Sequence, residues 1–364
     1  MKILYLVTML DGFGAALPIA DVVKVMKDLG HDVEVVAVIG EDSAACNRLR
    51  EAGIRYRFIG DRLHQHAKPM RELLRVLRQE QPDVIWTSMI QATVYGQIAG
   101  AITGTPVVAW QHNAFLKPSN RRILRVTKRF TKRWIADSTA AADFAVSSLS
   151  LVPKDVDIWP LFYADPEQPR AKMWDGNGIF RFGSLGRLHK NKKYDVLIEA
   201  VSILSRRYPD VASRVSFEIA GTGKLRASLE QLVMERGLTN INFVGYRSDP
   251  YTFLAELHGY VQPSRNEGLC IAAHEAMHAG LPVLTTPVGE LKNSVIPDKT
   301  GWIAEEDNPS SLAERIFEIF SDPEKSARIG GSAHSFVAAK FSYKNFLSSG
   351  ERALENVYTS LKRG

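Results

Sequence analysis

Cysteine is nearly absent from this chain. Only Cys46 and Cys270 occur in 364 residues, far apart in sequence. That scarcity excludes a disulfide framework and a cysteine-built metal site, and it points to a reducing compartment. Long apolar runs are missing as well. No uncharged apolar run reaches the roughly 18 residues of a spanning helix. The apolar start, residues 3–10, is stopped by Asp11 and Gly12, so it reads as a first buried strand rather than a signal peptide. With 26 glycines and 17 prolines, collagen-like and low-complexity chains are excluded. The balance of 45% hydrophobic and 24% charged residues is globular. At about 150 residues per domain the length suits two domains, each large enough for its own core.

Acidic residues are missing from one stretch in particular. Residues 114–135 hold eight basic side chains and no acidic one: Lys117, Arg121, Arg122, Arg125, Lys128, Arg129, Lys132 and Arg133. The net charge of the whole chain is only +6, so this block is a local feature. It suits the phosphates of a nucleic acid or of a membrane; the bland alternative is a solvated helix face.

Short apolar runs alternate with longer amphipathic stretches. In the first half, strands are expected over 3–8, 33–38, 55–59, 84–87, 107–111 and 133–136, and helices over 16–29, 44–52, 69–79, 92–103 and 121–132. Residues 159–177 break the pattern with Pro160, Pro166, Pro169, Asp175 and Gly176 and read as a linker. Strands then follow over 180–185, 215–220, 241–244, 259–262 and 283–285, and helices over 194–207, 225–236, 251–256, 272–279 and 310–320. A long helical tail runs to about residue 361. Strands with little alternation are buried on both faces, as in parallel sheets. The pattern therefore predicts two doubly wound α/β domains hinged near residue 165. Ligands of such sheets bind beyond the carboxyl ends of the strands, so the expected site is a cleft between the domains.

The residues after each strand carry the candidate chemistry. Gly12 and Gly14 follow the first strand, where small residues let backbone N–H groups approach a phosphate; a plain tight turn explains them equally well. Leu17 spoils the Gly-x-Gly-x-x-Gly spacing and argues against a nicotinamide-type site. His112 ends the strand at 107–111 and suits a hydrogen bond to a sugar hydroxyl, or else a satisfied core position. Gly186 frees the turn after the strand at 180–185, and Arg187 and Lys192 can converge on a diphosphate, or remain solvated. Gly221, Thr222 and Gly223 open a further Gly-rich turn before a helix. Glu267 lies in the loop after the strand at 259–262, and Glu275 follows eight residues later in the next helix. Glu275 suits the two hydroxyls of a ribose. The same pair could serve as general acid and base, or be a helix start stabilised by its dipole.

Taken in order, Gly186-Arg187-Leu188 with Lys192, Ala220-Gly221-Thr222-Gly223, Phe243-Val244-Gly245, Pro263-Ser264-x-x-Glu267-Gly268 and Glu275-Ala276-Met277-x-Ala279-Gly280-Leu281-Pro282-Val283 resemble the GT4 family of retaining glycosyltransferases. Val288-Gly289-Glu290 and Thr300-Gly301 extend the resemblance. The amino-terminal half matches more loosely, through the Gly12–Gly14 loop, His112 and Ser138.

The resemblance implies the GT-B fold. Two Rossmann-like domains, 1–165 for the acceptor and 166–345 for the donor, would face a central cleft, with a terminal helix, 346–364, crossing back to the first. It implies transfer of a hexose-type sugar from a nucleoside-diphosphate sugar, with UDP preferred and GDP-mannose the alternative, to a lipid-linked or cell-envelope glycan. Arg187 and Lys192 would hold the diphosphate, with no metal or other cofactor. Glu275 would hold the ribose, and Glu267 and His112 would meet the transferred sugar. The backbone of Gly268, Leu269 and Cys270 would lie near sugar and phosphates. Gly12 and Gly14 would approach the diphosphate, and Gly221, Thr222, Gly223, Tyr246 and Arg247 would line the nucleotide pocket. Leaving-group charge would be stabilised by the cations and a helix dipole.

Front-face attack, with a donor phosphate oxygen taking the acceptor proton, needs no protein nucleophile. In that frame Arg121, Arg122, Arg125, Lys128, Arg129 and Lys132 suit docking on an anionic leaflet rather than nucleic acid. That docking implies a cytoplasmic protein on the inner face of the cytoplasmic membrane. The expected helix places Ile123, Thr127, Phe130 and Trp134 on one face and Arg121, Arg125, Lys128 and Lys132 opposite. The sequence departs from the family at Leu269-Cys270, where Phe-Gly is common, and at His274, where an aliphatic residue is usual. Competing expectations are a sugar-nucleotide epimerase or glycan phosphorylase on the same fold, and a non-enzymatic basic module.

Overall fold

The structure, a computed structural model, describes residues 1–11, 14–40, 42–60 and 67–362. It divides into two compact units, Met1–Phe162 with Lys344–Gly364, and Tyr163–Tyr343.

The first unit is built on seven strands: β1 (Lys2–Met9), β2 (Asp32–Ile39), β3 (Tyr56–Phe58), β4 (Val84–Ser88), β5 (Val107–Gln111), β6 (Arg133–Ala136) and β7 (Val156–Ile158). They form one sheet in the order β3-β2-β1-β4-β5-β6-β7, with every pairing parallel. Every residue of β4 and β5 is buried, so helices cover both faces. The connecting helices are α1 (Ile19–Asp28), α2 (Ala44–Glu51), α3 (Ala67–Glu80), α4 (Ile90–Thr103), α5 (Pro118–Thr127) and α6 (Thr139–Leu149).

The second unit has six parallel strands: β8 (Phe180–Leu185), β9 (Val215–Ala220), β10 (Ile241–Gly245), β11 (Gly259–Gln262), β12 (Val283–Thr285) and β13 (Trp302–Ile303), in the order β10-β9-β8-β11-β12-β13. Its helices are α7 (Tyr194–Arg207), α8 (Pro209–Ala212), α9 (Arg226–Glu235), α10 (Pro250–Ala255), α11 (Ile271–His278), α12 (Leu291–Ser294), α13 (Pro309–Ser321) and α14 (Pro323–Lys340). A last helix, α15 (Tyr343–Lys362), belongs almost wholly to the first unit. There Asn356 donates to Asp157 at 2.8 Å, and Phe346 lies 5.9 Å from Trp159 between ring centres.

Strand order reverses between β1 and β4 in one sheet and between β8 and β11 in the other. Those two switch points are where ligands of open parallel sheets bind.

The basic stretch differs from its expectation. The α-helix ends at Thr127, a 3-10 turn covers Lys128–Phe130, and Trp134 is a buried strand residue of β6. Leu124 is the residue α5 buries, whereas Ile123 and Val126 are 44% and 62% exposed. The expected apolar face of Ile123, Thr127, Phe130 and Trp134 is thus not the face that packs. The reason is that the helix starts three residues early, at Pro118, and gives way to a strand that claims Trp134. The cations divide too. Arg125 donates to the carbonyl of Ser148, and Lys128 to those of Leu149 and Ser150, which cap the end of α6. Arg133 is buried against Asp157. Arg121, Arg122, Arg129 and Lys132 remain exposed.

The tail is two helices rather than one. At the break between α14 and α15, Ala164 donates its N–H to the Phe341 carbonyl at 2.7 Å. Among the described residues no helix is long and apolar enough to cross a membrane.

Candidate active site

In the second unit, the turns after β8, β9 and β10 are stitched together by their backbones. Gly186 donates to Ala220, Leu188 to Thr222 and Gly221 to Gly245, at 3.0, 2.8 and 2.7 Å. Glycine is needed for this contact. A Cβ on Gly221, which has φ +141°, would lie 2.0 Å from the Gly186 oxygen, and one on Gly223 would lie 2.3 Å from the Leu188 oxygen. Thr222, Tyr246 and Arg247 are exposed around these turns, as is Arg187.

Across the switch point, the loop after β8 meets the loop after β11. Lys192 sets its Nζ 2.7 Å from Oε1 of Glu267. The expectation that Lys192 is an exposed loop residue is corrected here: its side chain is only 20% accessible, because a short 3-10 turn at Lys190–Lys192 folds it inward. Burial is the largest influence on Lys192 and opposes its charge, but the Glu267 carboxylate, with Cys270 and Tyr194, together hold the ammonium above its ordinary pKa. Ser264 Oγ donates to the same Glu267 oxygen at 2.6 Å, Gln262 Nε2 donates to Ser264 at 2.8 Å, and Tyr260 Oη donates to Gln262 at 2.7 Å. A file of fully buried polar groups thus runs from the sheet to one carboxylate.

Gly268, Leu269 and Cys270 complete that loop and are buried. Cys270 precedes α11 with φ 62°, a left-handed conformation that a side chain disfavours by about 1–2 kcal/mol. Burial, and then the Glu267 carboxylate, push its thiol well up. Glu275 is half-buried in the second turn of α11. His274, beside it, is fully buried. It donates from Nδ1 to the Cys270 carbonyl at 3.0 Å, and its Nε2 is 2.9 Å from Ser294 Oγ. Burial lowers its pKa to about 4. The unusual histidine in this helix is therefore a neutral clamp on the Glu267–Cys270 loop.

In the first unit, three adjacent strands each present one polar side chain at the carboxyl end. They are Ser88, last in β4, His112 after β5, and Asp137 after β6. His112 Nδ1 lies 2.9 and 3.1 Å from the two oxygens of Asp137, and its Nε2 lies 2.7 Å from Ser88 Oγ. Trp110 donates its indole N–H to Asp137 at 2.6 Å. Burial raises the Asp137 pKa, and the charge and hydrogen bonds of His112 and Trp110 oppose that rise. Trp110 stacks with His112 and with Trp159, at 5.8 and 5.3 Å between ring centres, and Trp159 meets Phe346 of α15. Met89 follows Ser88 with φ 73° and ψ 154°, a strained conformation at the turn into α4. Gly14 opens a short 3-10 turn with φ +54°, and Gly12 lies outside the described residues. Among the described residues, no three of His, Cys, Asp and Glu gather as a metal site requires.

The first half of the chain, residues 14–163, matches the family model for Glycosyltransferase Family 4, and residues 176–336 match that for Glycosyl transferases group 1. The chain belongs to the GT4-type glycosyltransferases. Its fold is GT-B. An uncharacterized glycosyltransferase of Methanocaldococcus jannaschii is 31% identical over 170 residues, 46% of each chain. A D-inositol 3-phosphate glycosyltransferase of an Arthrobacter species is 27% identical over 289 residues, 71% of this chain and 68% of that one. The alignment thus spans about half the length of the first relative and two-thirds of the second. Among solved structures, Anabaena HepE in complex with UDP and glucose superposes with a TM-score of 0.84 at 22% identity, over 98% of this chain and 99% of that chain.

The structure of this GT4-type chain joins Lys192 to Glu267 and stacks the Gly186 and Gly221–Gly223 turns. The sequence motifs give no role to Ser88, Asp137, Ser264 or Gln262, which the structure sets around His112 and Glu267. Asp137 was within reach, because inspecting the residue after each strand picks out His112 and applies equally to the strand at 133–136. Ser88 hides at the end of a buried strand, where a serine signals nothing alone.

Proposed function

We propose that the chain transfers a hexose-type sugar, with retention of anomeric configuration and without a metal, from a nucleoside-diphosphate sugar to a lipid-linked or cell-envelope glycan. UDP is the favoured carrier; HepE, of the same fold, is described as a complex with UDP and glucose. The observation that carries the reading is the Lys192–Glu267 pair at the switch point of the second sheet. A lysine ammonium has three donors. One is given to Glu267, and the others suit a diphosphate alongside the exposed Arg187. The first N–H groups of α11 add a positive dipole end. These groups would stabilise the leaving nucleoside diphosphate. A donor phosphate oxygen would take the proton of the acceptor hydroxyl as the new C–O bond forms and the sugar–phosphate bond breaks. Glu275 would hold the ribose, Glu267 and His112 the sugar, and Thr222, Tyr246 and Arg247 the nucleotide.

Thermal-shift titration with UDP, GDP and ADP tests the donor. UDP alone should stabilise the protein, by about 2.7 kcal/mol at a hundred times its Kd. No response to any of the three overturns the reading, and a response to GDP alone moves it to GDP-mannose. Conversion of a UDP-sugar to its epimer without transfer would replace it by epimerase activity.

The acceptor side is proposed to dock on an anionic bilayer. Lys117, Arg121, Arg122, Arg129 and Lys132 are exposed beside Phe115, Ile123, Val126 and Phe130, a mixed basic and apolar surface with no acid in its sequence. Each cation near such a surface contributes about 1 kcal/mol. Replacing Arg121, Arg122, Arg129 and Lys132 by Gln should release the protein from phosphatidylglycerol vesicles at low salt and leave UDP affinity unchanged. Equal binding by the variant would mean the patch is only solvated.

A further inference from the structure

We propose that Asp137 and Ser88 are positioning residues for His112, fixing which imidazole nitrogen carries the proton and which one works. This rests on the reading above that His112 meets the transferred sugar. Neither residue is reached by the motifs that identify the family.

The chemistry of the partners decides the tautomer. Trp110 Nε1 can only donate, so the Asp137 oxygen it meets at 2.6 Å must accept. Both Asp137 oxygens also lie within hydrogen-bond reach of His112 Nδ1. With Asp137 ionised, neither oxygen has a proton to give, so Nδ1 carries one. That leaves Nε2 as the variable nitrogen. Its partner, Ser88 Oγ at 2.7 Å, can both donate and accept. Ser88 therefore donates to the neutral ring and accepts from the charged one, without moving. The ring cannot tilt away, because Trp110 is stacked on its face. Second-sphere carboxylates orient catalytic and metal-bound imidazoles in this manner elsewhere.

The contacts run Ser–His–Asp, as in a hydrolytic triad, but a nucleophile role for Ser88 fails. Ser88 is fully buried, and no substrate carbon can reach its Oγ. What the arrangement does is hold the half-buried His112 ring in register for a hydroxyl of the sugar.

The test combines kinetics with nitrogen-15 NMR of histidine-labelled full-length protein. Wild type should show the Nδ1–H form of His112, and Asp137→Asn should lose it. With UDP-glucose as donor, D137N should lower kcat at least 100-fold with KM changed less than threefold. His112→Ala should match it, and the double variant should be no slower than H112A. Ser88→Ala, which leaves both Asp137 bonds in place, should keep the Nδ1–H form and cost threefold to tenfold in kcat. It also serves as the second variant should D137N fold poorly. A merely structural network predicts otherwise: melting temperatures fall, kcat per folded molecule stays within threefold, and the losses multiply. An Nε2–H form in wild type, or an unchanged tautomer in D137N, overturns the proposal. Should wild type transfer no sugar from UDP-glucose, the donor reading fails, and the tautomer result still decides this inference.

Discussion

Asp137 in the first unit and Glu267 in the second are nearly buried carboxylates just beyond their sheets, and the two are compensated differently. Asp137 faces an imidazole and an indole N–H; Glu267 faces an ammonium and a hydroxyl. Lysine is a compact, strongly hydrated charge that stays on across the working range, whereas histidine can switch near neutrality. The first centre thus compensates its carboxylate with a ring that can donate from either nitrogen, and the second with a fixed charge. The comparison also shows how burial is tolerated. In both units a strand-end side chain supplies the missing hydrogen bond, Ser88 to the imidazole and Ser264 to the carboxylate.

The largest effect that could break this comparison is loss of one charged partner. Glu267→Ala leaves the Lys192 ammonium mostly buried and Ser264 without its acceptor, and should destabilise the second unit by about 3–5 kcal/mol in denaturant melts. A loss below about 1 kcal/mol would mean that water screens the pair.

A middle-sized effect concerns acid. His274 is held neutral, with its pKa lowered to about 4. Its folded value lies below its ordinary one, so as pH falls the unfolded chain takes the proton first. Stability is complete above about pH 6.5 and is lost between there and about 4, with a slope approaching about 1.4 kcal/mol per pH unit. His274→Gln should flatten that part of the pH–stability curve. An unchanged slope would assign the acid response to other groups and remove the contrast with the lysine-compensated centre.

The smallest effect is at Cys270. Cys270→Gly relieves the left-handed strain but frees the unfolded chain, so stability should change by less than about 1 kcal/mol. Turnover should persist, because the buried thiol has no chemical part in the proposed reaction. Turnover lost with stability retained would give the thiol a role at the sugar.

Much of the fold was legible because parallel strands buried on both faces leave short, mostly apolar runs between longer amphipathic stretches. The strands at 107–111, 133–136, 180–185, 215–220, 259–262 and 283–285 have the boundaries read from sequence. What escaped had a physical reason. Helix α6 buries Ala140, Ala141, Ala142 and Ala145, and a helix of small residues shows no amphipathic period. Strand β7 is three residues with Asp157 at its centre, polar because it pairs with Arg133 and Asn356. In the candidate site, glycine turns and carboxylates announce themselves in sequence. The serines and the aspartate that hold them do not, since their meaning lies in which strand ends are neighbours.

The run of ring contacts His112–Trp110–Trp159–Phe346, stacked over its first three members, has an optical consequence. A protonated imidazole against an indole face withdraws excited-state electron density and dims its emission, while a neutral one does so far less. Four of the six tryptophans belong to the first unit, and two of those four form this column. The protein therefore carries its own dye beside the histidine, and the intensity of unlabelled tryptophan light should change when a ligand binds against the His112 ring.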